Sequence, residues 1–462
     1  MMTDDSLDRD ALHYVLPARQ LTGTTTEVLA QLDKLIQALV GLRQLISLRG
    51  ASSATPAPPK RRLRLVWPLR IFVLLLAFPV CVAAQSTIGS TDSTPPTGES
   101  SDQPESNQEP SNPFAGIRFG VSLEGYYQYN WNRPYDRINL LRAYDTRANV
   151  FSIQQTAIVI ESAPDVGAGR RFGARVDLQF GQATETVQGN PANEPRPDAY
   201  RPVWQAYGTY IFPVGRGLQA DFGKFASNLG FETNYAKDNS HFSRAYLFNF
   251  LPFYHSGLRV SLPVSDQLTL MYMLTNGIQQ TEDFNDFKSS HLTAIIKPHT
   301  RLTWTVNYFF GQEQPDGGEP TGPDGYFRVF DTQLAFTATS ALTFGFDGNY
   351  VTNEINKRDS ARSLFGIGTY ARYQITAPAT VAVRYERLDD EGLFGGIDQV
   401  LHEVTATAEY KLAEGFLARG EFRRDWSNER FFTGPSPAAP RAHQNTALIG
   451  LVWWFGNKQG AW

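Results

Sequence analysis

From Phe114 onward the chain repeats one unit sixteen times: about ten residues of apolar and polar side chains in alternation, then a connection that is by turns short and long. Alternation with period two puts successive side chains on opposite faces of a β-strand. Here the polar face carries Arg, Asp and Glu while the apolar face carries Phe, Tyr and Trp, a pattern that suits a barrel with lipid outside and water inside. Such strands must close on themselves, because lipid offers no partner to backbone N–H and C=O groups along an open edge. The expected fold is all-β: a closed antiparallel transmembrane β-barrel of about 16 strands, with short periplasmic turns, long extracellular loops and both termini in the periplasm. A barrel of that size can enclose an aqueous channel, whereas an eight-stranded one is filled by its own side chains.

Composition argues against helical spans. The mean hydropathy of −0.32 is too low for a bundle of membrane helices, while a barrel needs apolar residues only at every second position. Aromatic residues make up 13% of the chain, enough for girdles at two membrane interfaces. The net charge is −4, and residues 1–84 hold ten Lys/Arg and six Asp/Glu, which leaves 32 basic and 40 acidic residues for the rest. No basic surface for nucleic acid is implied.

The N-terminal region divides into three parts. Lys60, Arg61, Arg62, Arg64 and Arg70 precede the apolar run Ile71 to Ala84, which ends in small residues before Gln85, so residues 60–84 read as a secretory signal peptide cut after Ala84. The single cysteine, Cys81, would be lost with it, leaving a mature chain without disulfide, thiol nucleophile or cysteine metal site. Upstream, Val28, Leu32, Leu35, Leu39, Leu42 and Ile46 form a heptad seam, so residues 1–59 read either as an extension with an amphipathic helix over 26–48 or as the product of a start assigned upstream of true initiation near residue 60. Residues 85–113, rich in Ser, Thr, Pro and acidic residues, read as a disordered linker to the barrel of 114–462.

The first strand sets Ile117, Phe119, Val121, Leu123, Tyr127, Tyr129 and Trp131 against Arg118, Ser122, Glu124, Tyr126, Gln128 and Asn130. Further strands are expected at 149–162, at 171–180, and near 201–212, 218–226, 254–262, 267–276, 288–297, 301–311, 326–338, 342–352, 362–374, 379–389, 399–411, 416–426 and 443–456. The connection Ser227 to Phe253, 27 residues, is the longest. Its length and its place after the fifth strand resemble the loop of sixteen-stranded general porins that folds into the lumen, which makes Glu232, Lys237, Asp238 and Arg244 candidates for a constriction. The alternative is an external loop packed on its own Phe242, Tyr246, Phe248 and Phe250.

The same stretch carries a family resemblance. Gly223-Lys224-Phe225, Gly230-Phe231-Glu232, Asn239-Ser240-His241-Phe242-Ser243-Arg244, Pro252-Phe253-Tyr254-His255-Ser256-Gly257 and the ending Leu451-Val452-Trp453-Trp454-Phe455-Gly456 resemble the β-barrel porin-2 (OmpL-like) family over about residues 114–462. The resemblance implies an outer-membrane, porin-like barrel and transfers no catalytic residue. One departure is that apolar alternation stops at Phe455, leaving Asn457 to Trp462 as a tail.

Alternation assigns Arg118, Glu124, Arg171, Arg175, Asp177, Arg259, Arg384, Glu386, Arg419, Glu421 and Arg423 to the lumen wall as pore-lining candidates. Both signs occur two residues apart on single strands, so the same residues also read as salt bridges that stiffen the wall. No catalytic constellation, metal-ligand cluster or cofactor motif stands out: His255 and Ser256 are neighbours on a strand and point to opposite faces. The expectation is an outer-membrane channel for passive diffusion of small hydrophilic solutes or ions in a Gram-negative cell, with no cofactor. Its partners would be outer-membrane lipids, the barrel assembly machinery and the solutes, and a homo-oligomer stays open. A non-channel barrel whose long loops, Thr184 to Tyr200 and Ser427 to Ala442, bind a surface partner is the competing class, and a barrel hydrolase is the third.

Overall fold

The computed structural model describes residues 116–188, 194, 196–314, 324–357, 360–458 and 460–462. The expected signal peptide, the heptad helix and the linker therefore lie outside the described residues. Sixteen strands follow one another around the wall: β1 (Ile117–Asn130), β2 (Val150–Ser162), β3 (Phe172–Phe180), β4 (Val203–Phe212), β5 (Leu218–Ala226), β6 (Tyr254–Pro263), β7 (Leu268–Thr275) and β8 (Ser289–His299). The second half is β9 (Leu302–Gly311), β10 (Phe327–Thr337), β11 (Leu342–Asn353), β12 (Arg362–Gln374), β13 (Ala379–Glu391), β14 (Asp398–Ala413), β15 (Phe416–Ser427) and β16 (His443–Gly456).

Each strand pairs antiparallel with its sequence neighbours, and β1 pairs with β16 from Gly120 opposite Gly456 to Asn130 opposite Thr446. The sheet has no free edge, so every strand has neighbours on both sides. The sequence-derived strands agree with these spans to within about three residues at any end. The agreement follows from the period of two, which ends where the wall ends.

The outer surface is the apolar half of the pattern. Phe119, Leu123, Phe151, Phe172, Phe222 and Ile449 are exposed, as lipid-facing side chains must be in a chain taken out of its membrane. Connections alternate between the two rims: the longest, such as 227–253, leave from one, and the other carries tight links such as 213–217 and 264–267, with 163–171 its longest. Among the described residues, three short α-helices lie in the long connections, α1 (Ala183–Gln188), α2 (Pro197–Tyr200) and α3 (Tyr246–Phe250), with one 3-10 turn at Ala236–Asp238. The long rim is the outer one, by the general rule for bacterial barrels.

Candidate functional site: the loop inside the barrel

The 227–253 segment lies against the inner wall, and its partners come from most of the circumference. Backbone groups taken into a barrel lose water and need partners. The wall's charged residues supply them. Glu124 of β1 accepts from Ala236 N–H at 2.7 Å, and Asp347 of β11 accepts from Phe231 N–H at 3.0 Å. Glu421 of β15 accepts from Phe242 N–H at 2.9 Å and Ser243 N–H at 3.2 Å. Glu386 of β13 takes Tyr246 N–H at 2.6 Å and Leu247 N–H at 3.0 Å. Those two amides open α3, whose own cap position, Ala245, has no side chain able to accept them, so a wall carboxylate does the capping.

Arginines complete the match by donating to loop carbonyls. Arg384 Nη1 reaches Ser243 O at 2.9 Å, and Arg423 Nη1 reaches Arg244 O at 2.6 Å. Arg419 holds three: Ala236 O at 2.7 Å, His241 O at 3.0 Å and Asn239 O at 2.6 Å. The arginines also pair with acids, Arg384 with Glu232 and Glu403, both at 2.6 Å, Arg419 with Glu409 at 2.6 Å, and Arg423 with Asp425 at 2.8 Å. The mixed signs along β13 to β15 thus have a structural reason. A backbone carries donors and acceptors in equal number, so a wall that seats it needs both carboxylates and guanidinium groups.

Apolar side chains provide a second attachment. Phe309, Val329, Val351 and Leu364 stand directly opposite one another across β9 to β12, and Leu388 faces Leu401 across β13 and β14. All six are fully buried, in one cluster with Leu229, Tyr246, Leu247 and Leu251 of the loop. Sequence reasoning did not find this belt, because strict alternation reserves the inner face for polar residues. Its signal is local: Tyr308-Phe309, Val329-Phe330, Tyr350-Val351 and Leu364-Phe365 are adjacent apolar pairs, which mark strand ends covered on both faces.

The loop candidates carry little free charge. Arg244 is fully buried and donates to Thr233 O at 3.2 Å, Asn234 O at 2.8 Å and Phe242 O at 2.6 Å, so it organises the loop's own backbone. Glu232 pairs with Arg384, and Lys237 pairs with Asp238 at 2.8 Å. Burial pulls the Lys237 ammonium below its ordinary value, with Asp238 opposing the shift. His241 lies well below 6.5, first because it is buried and then because Arg384, Arg419 and Arg423 surround it.

Of the wall candidates, Glu124, Arg384, Glu386, Arg419, Glu421 and Arg423 meet at the loop. Arg175 and Asp177 pair at 2.8 Å on β3, where Asp177 also accepts from Tyr235 OH of the loop at 2.8 Å. Arg259 pairs with Asp221 at 2.8 Å and, with Arg171, lines a separate cavity of about 850 Å³ toward the short-turn rim. Arg118 is exposed near the start of β1. A second cavity, of about 360 Å³, lies between the loop and the wall, lined by Asn228, Phe231, Thr305, Gln333 and Trp462 among others. Met271 lines both cavities, so the space left beside the loop runs along the β5 to β10 side.

His255 and Ser256 both lie on β6, as expected, and His255 instead meets Ser227 of the loop, Nε2 to Oγ at 3.1 Å, while its Nδ1 faces Gly277 O at 3.1 Å. The pair ties the start of the loop to β6 and to the next outer connection. Among the described residues, no group of three or more His, Cys, Asp or Glu side chains could hold a metal ion.

A family model described as putative beta-barrel porin-2, OmpL-like, matches residues 116–455. No curated protein matches the chain. Among solved structures, the chain is similar to an anion-selective porin from Comamonas acidovorans, with 8% identity, a TM-score of 0.49, and 73% of this chain and 99% of that one covered. It is also similar to the outer membrane channel DcaP of Acinetobacter baumannii, with 10% identity, a TM-score of 0.49, and coverages of 74% and 98%. A third is OmpT, an outer membrane protein of Vibrio cholerae, at 11% identity and a TM-score of 0.47, covering 73% and 97%.

Proposed function

Because the chain belongs to the OmpL-like β-barrel porin-2 family of outer-membrane barrels, we propose that it is a channel for passive diffusion of small hydrophilic solutes or ions, throttled by the loop of residues 227–253. The observation that carries this reading is the sixteen-strand closed wall with a loop seated inside it and space left beside the loop, reached by Arg171, Asp221, Arg259, Asn228 and Gln333. Sixteen strands enclose more room than wall side chains fill. The loop takes up much of that room, so the pore would be narrow and its width would depend on how firmly the loop is seated. Purified protein in a planar bilayer should give discrete conductance steps.

A second reading has its own support. The apolar cluster joining Leu229, Leu247 and Leu251 to the wall lies on the outer half, where a continuous dry contact would block water. A barrel sealed at that level, with its outer loops serving a surface partner, would give no steps in the same bilayer. In that case deleting 428–442 should abolish binding to the partner surface.

Export would follow from the signal peptide read at residues 60–84. Mass spectrometry of the protein from outer membranes of a Gram-negative host should find a mature N-terminus at Gln85 and no peptide from residues 1–84. Recovery of the Val28 to Ile46 segment in the membrane-embedded product would contradict cleavage at that point.

A further inference from the structure

The chain continues past its last strand into the barrel. Gly456 ends β16 at φ +128, and a Cβ there would lie 2.3 Å from the Phe119 carbonyl oxygen, so the turn at this point requires glycine. The turned segment is pinned to the first two strands. Phe119 N–H donates to Asn457 Oδ1 at 2.7 Å, Lys458 N–H donates to Phe119 O at 3.0 Å, and Lys458 Nζ meets Glu161 at 2.6 Å.

Beyond it, Trp462 lies over Gly120, where a Cβ would fall 2.3 Å from the indole ring. From there it reaches the loop. Its ring stands edge-on to Tyr235 at 5.7 Å, its backbone N–H donates to Asp238 Oδ2 at 3.0 Å, and Lys237 Nζ sits 4.7 Å from the ring centre while donating to Gly460 O at 2.9 Å. These contacts converge on one turn of the loop, Ala236–Asp238. Glu124 and Arg419 hold that turn from the wall, and residues 460–462 add contacts of their own. Trp462 also lines the 360 Å³ cavity beneath the loop, so its departure would widen that cavity.

We infer that Asn457, Lys458 and residues 460–462 act as a strap that fastens the 235–238 turn inside the lumen and thereby limits how far the loop can swing, acting as a gate on the short-turn side of the pore. The effect on current rests on the channel reading; the effect on the loop does not. A docked strap buries Lys237 against Trp462 and Asp238, and an undocked one would release that cation toward the open lumen.

The test uses the full-length protein and two variants, Trp462→Ala, which removes the indole, and Gly120→Val, which leaves the strap sequence intact and fills the place where the indole lies. Hydrogen exchange at the amides of residues 235–239 should quicken by about tenfold in both variants, the loss expected from one aromatic pair and its hydrogen bond, with strand amides unchanged. In bilayers both variants should show larger steps and more substates than the parent. Exchange identical to the parent in both variants would overturn the strap. Faster exchange with unchanged steps would overturn its role as a gate. If the parent carries no current, the channel reading fails, and exchange alone decides whether the strap holds the loop.

Discussion

A hydrogen in place of a methyl group is what lets Phe242 lie on β16. A Cβ at Gly450 would fall 2.4 Å from the Phe242 ring, and Gly345 and Gly366 seat Phe231 and Leu247 at 2.4 and 2.5 Å in the same way. Wall glycines therefore act as sockets for loop side chains, on the inner face where alternation leaves room for them. Gly450→Ala should lower the unfolding free energy of the barrel by about 1–3 kcal/mol, the usual cost of overfilling a packed site. Adding Phe242→Ala should recover part of that loss, because the clash is between these two residues, and a double-mutant cycle in urea measures the coupling. Two simply additive losses would mean that the ring is not held where the structure places it. Arg384 is the sharper case: it is fully buried and pairs with Glu232 and Glu403. Arg384→Ala leaves Glu232 buried without its cation and Glu403 with Arg423 alone, and a loss of about 3–5 kcal/mol is expected. The same change at Arg137, exposed in the first outer loop, should have no measurable effect.

At the scale of the loop, stability should depend on pH through His241. Its ring is buried and faces Arg384, Arg419 and Arg423, with Tyr370 6.4 Å away, Glu421 accepting from the next residue, and Thr407 at 2.7 Å from Nδ1. The seated form holds the imidazole neutral, whereas a released loop lets it protonate near its ordinary value of 6.5. The released form thus binds more protons below that value, so seating is complete above 6.5 and weakens as pH falls beneath it. The protection factors of the loop amides, which are exchange rates relative to the intrinsic rate at the same pH, should fall on acidification below 6.5, and His241→Gln should remove that dependence. A profile that is the same in both proteins would place the pH response elsewhere. The strands were legible in the sequence because each is a local pattern: strand twelve, 362–374, and strand sixteen, 443–456, match the observed spans residue for residue. The position of the loop was legible only as a resemblance to the lumen loop of general porins, with an external loop as the alternative, and its seating contacts were not legible. Glu386 caps α3 across 140 residues and Glu421 meets Phe242 across 179, and no periodicity within a ten-residue window encodes a contact at that separation. What could be read was the presence of both signs on β13 to β15; that they hold the backbone of the loop required the fold. The tail was visible only as a break in register after Phe455, and its destination depends on Gly120, in the first strand.

For the whole molecule, the wall and its loop make two different contributions. Closure of β1 on β16 satisfies the backbone of the wall in lipid, and the charged inner face satisfies the backbone of the loop in the lumen. If the barrel conducts as proposed, the seated loop throttles it. Deleting Thr233 to Ser240 removes the turn held by Glu124 and Arg419 while leaving the β5 and β6 strands and the apolar anchors Leu247 and Leu251 in place. Single-channel recording of this deletion beside the parent protein is the most direct measurement. The parent should give small discrete steps and the deletion clearly larger ones; steps of equal size, or no steps from either protein, would rule out a loop that throttles the pore.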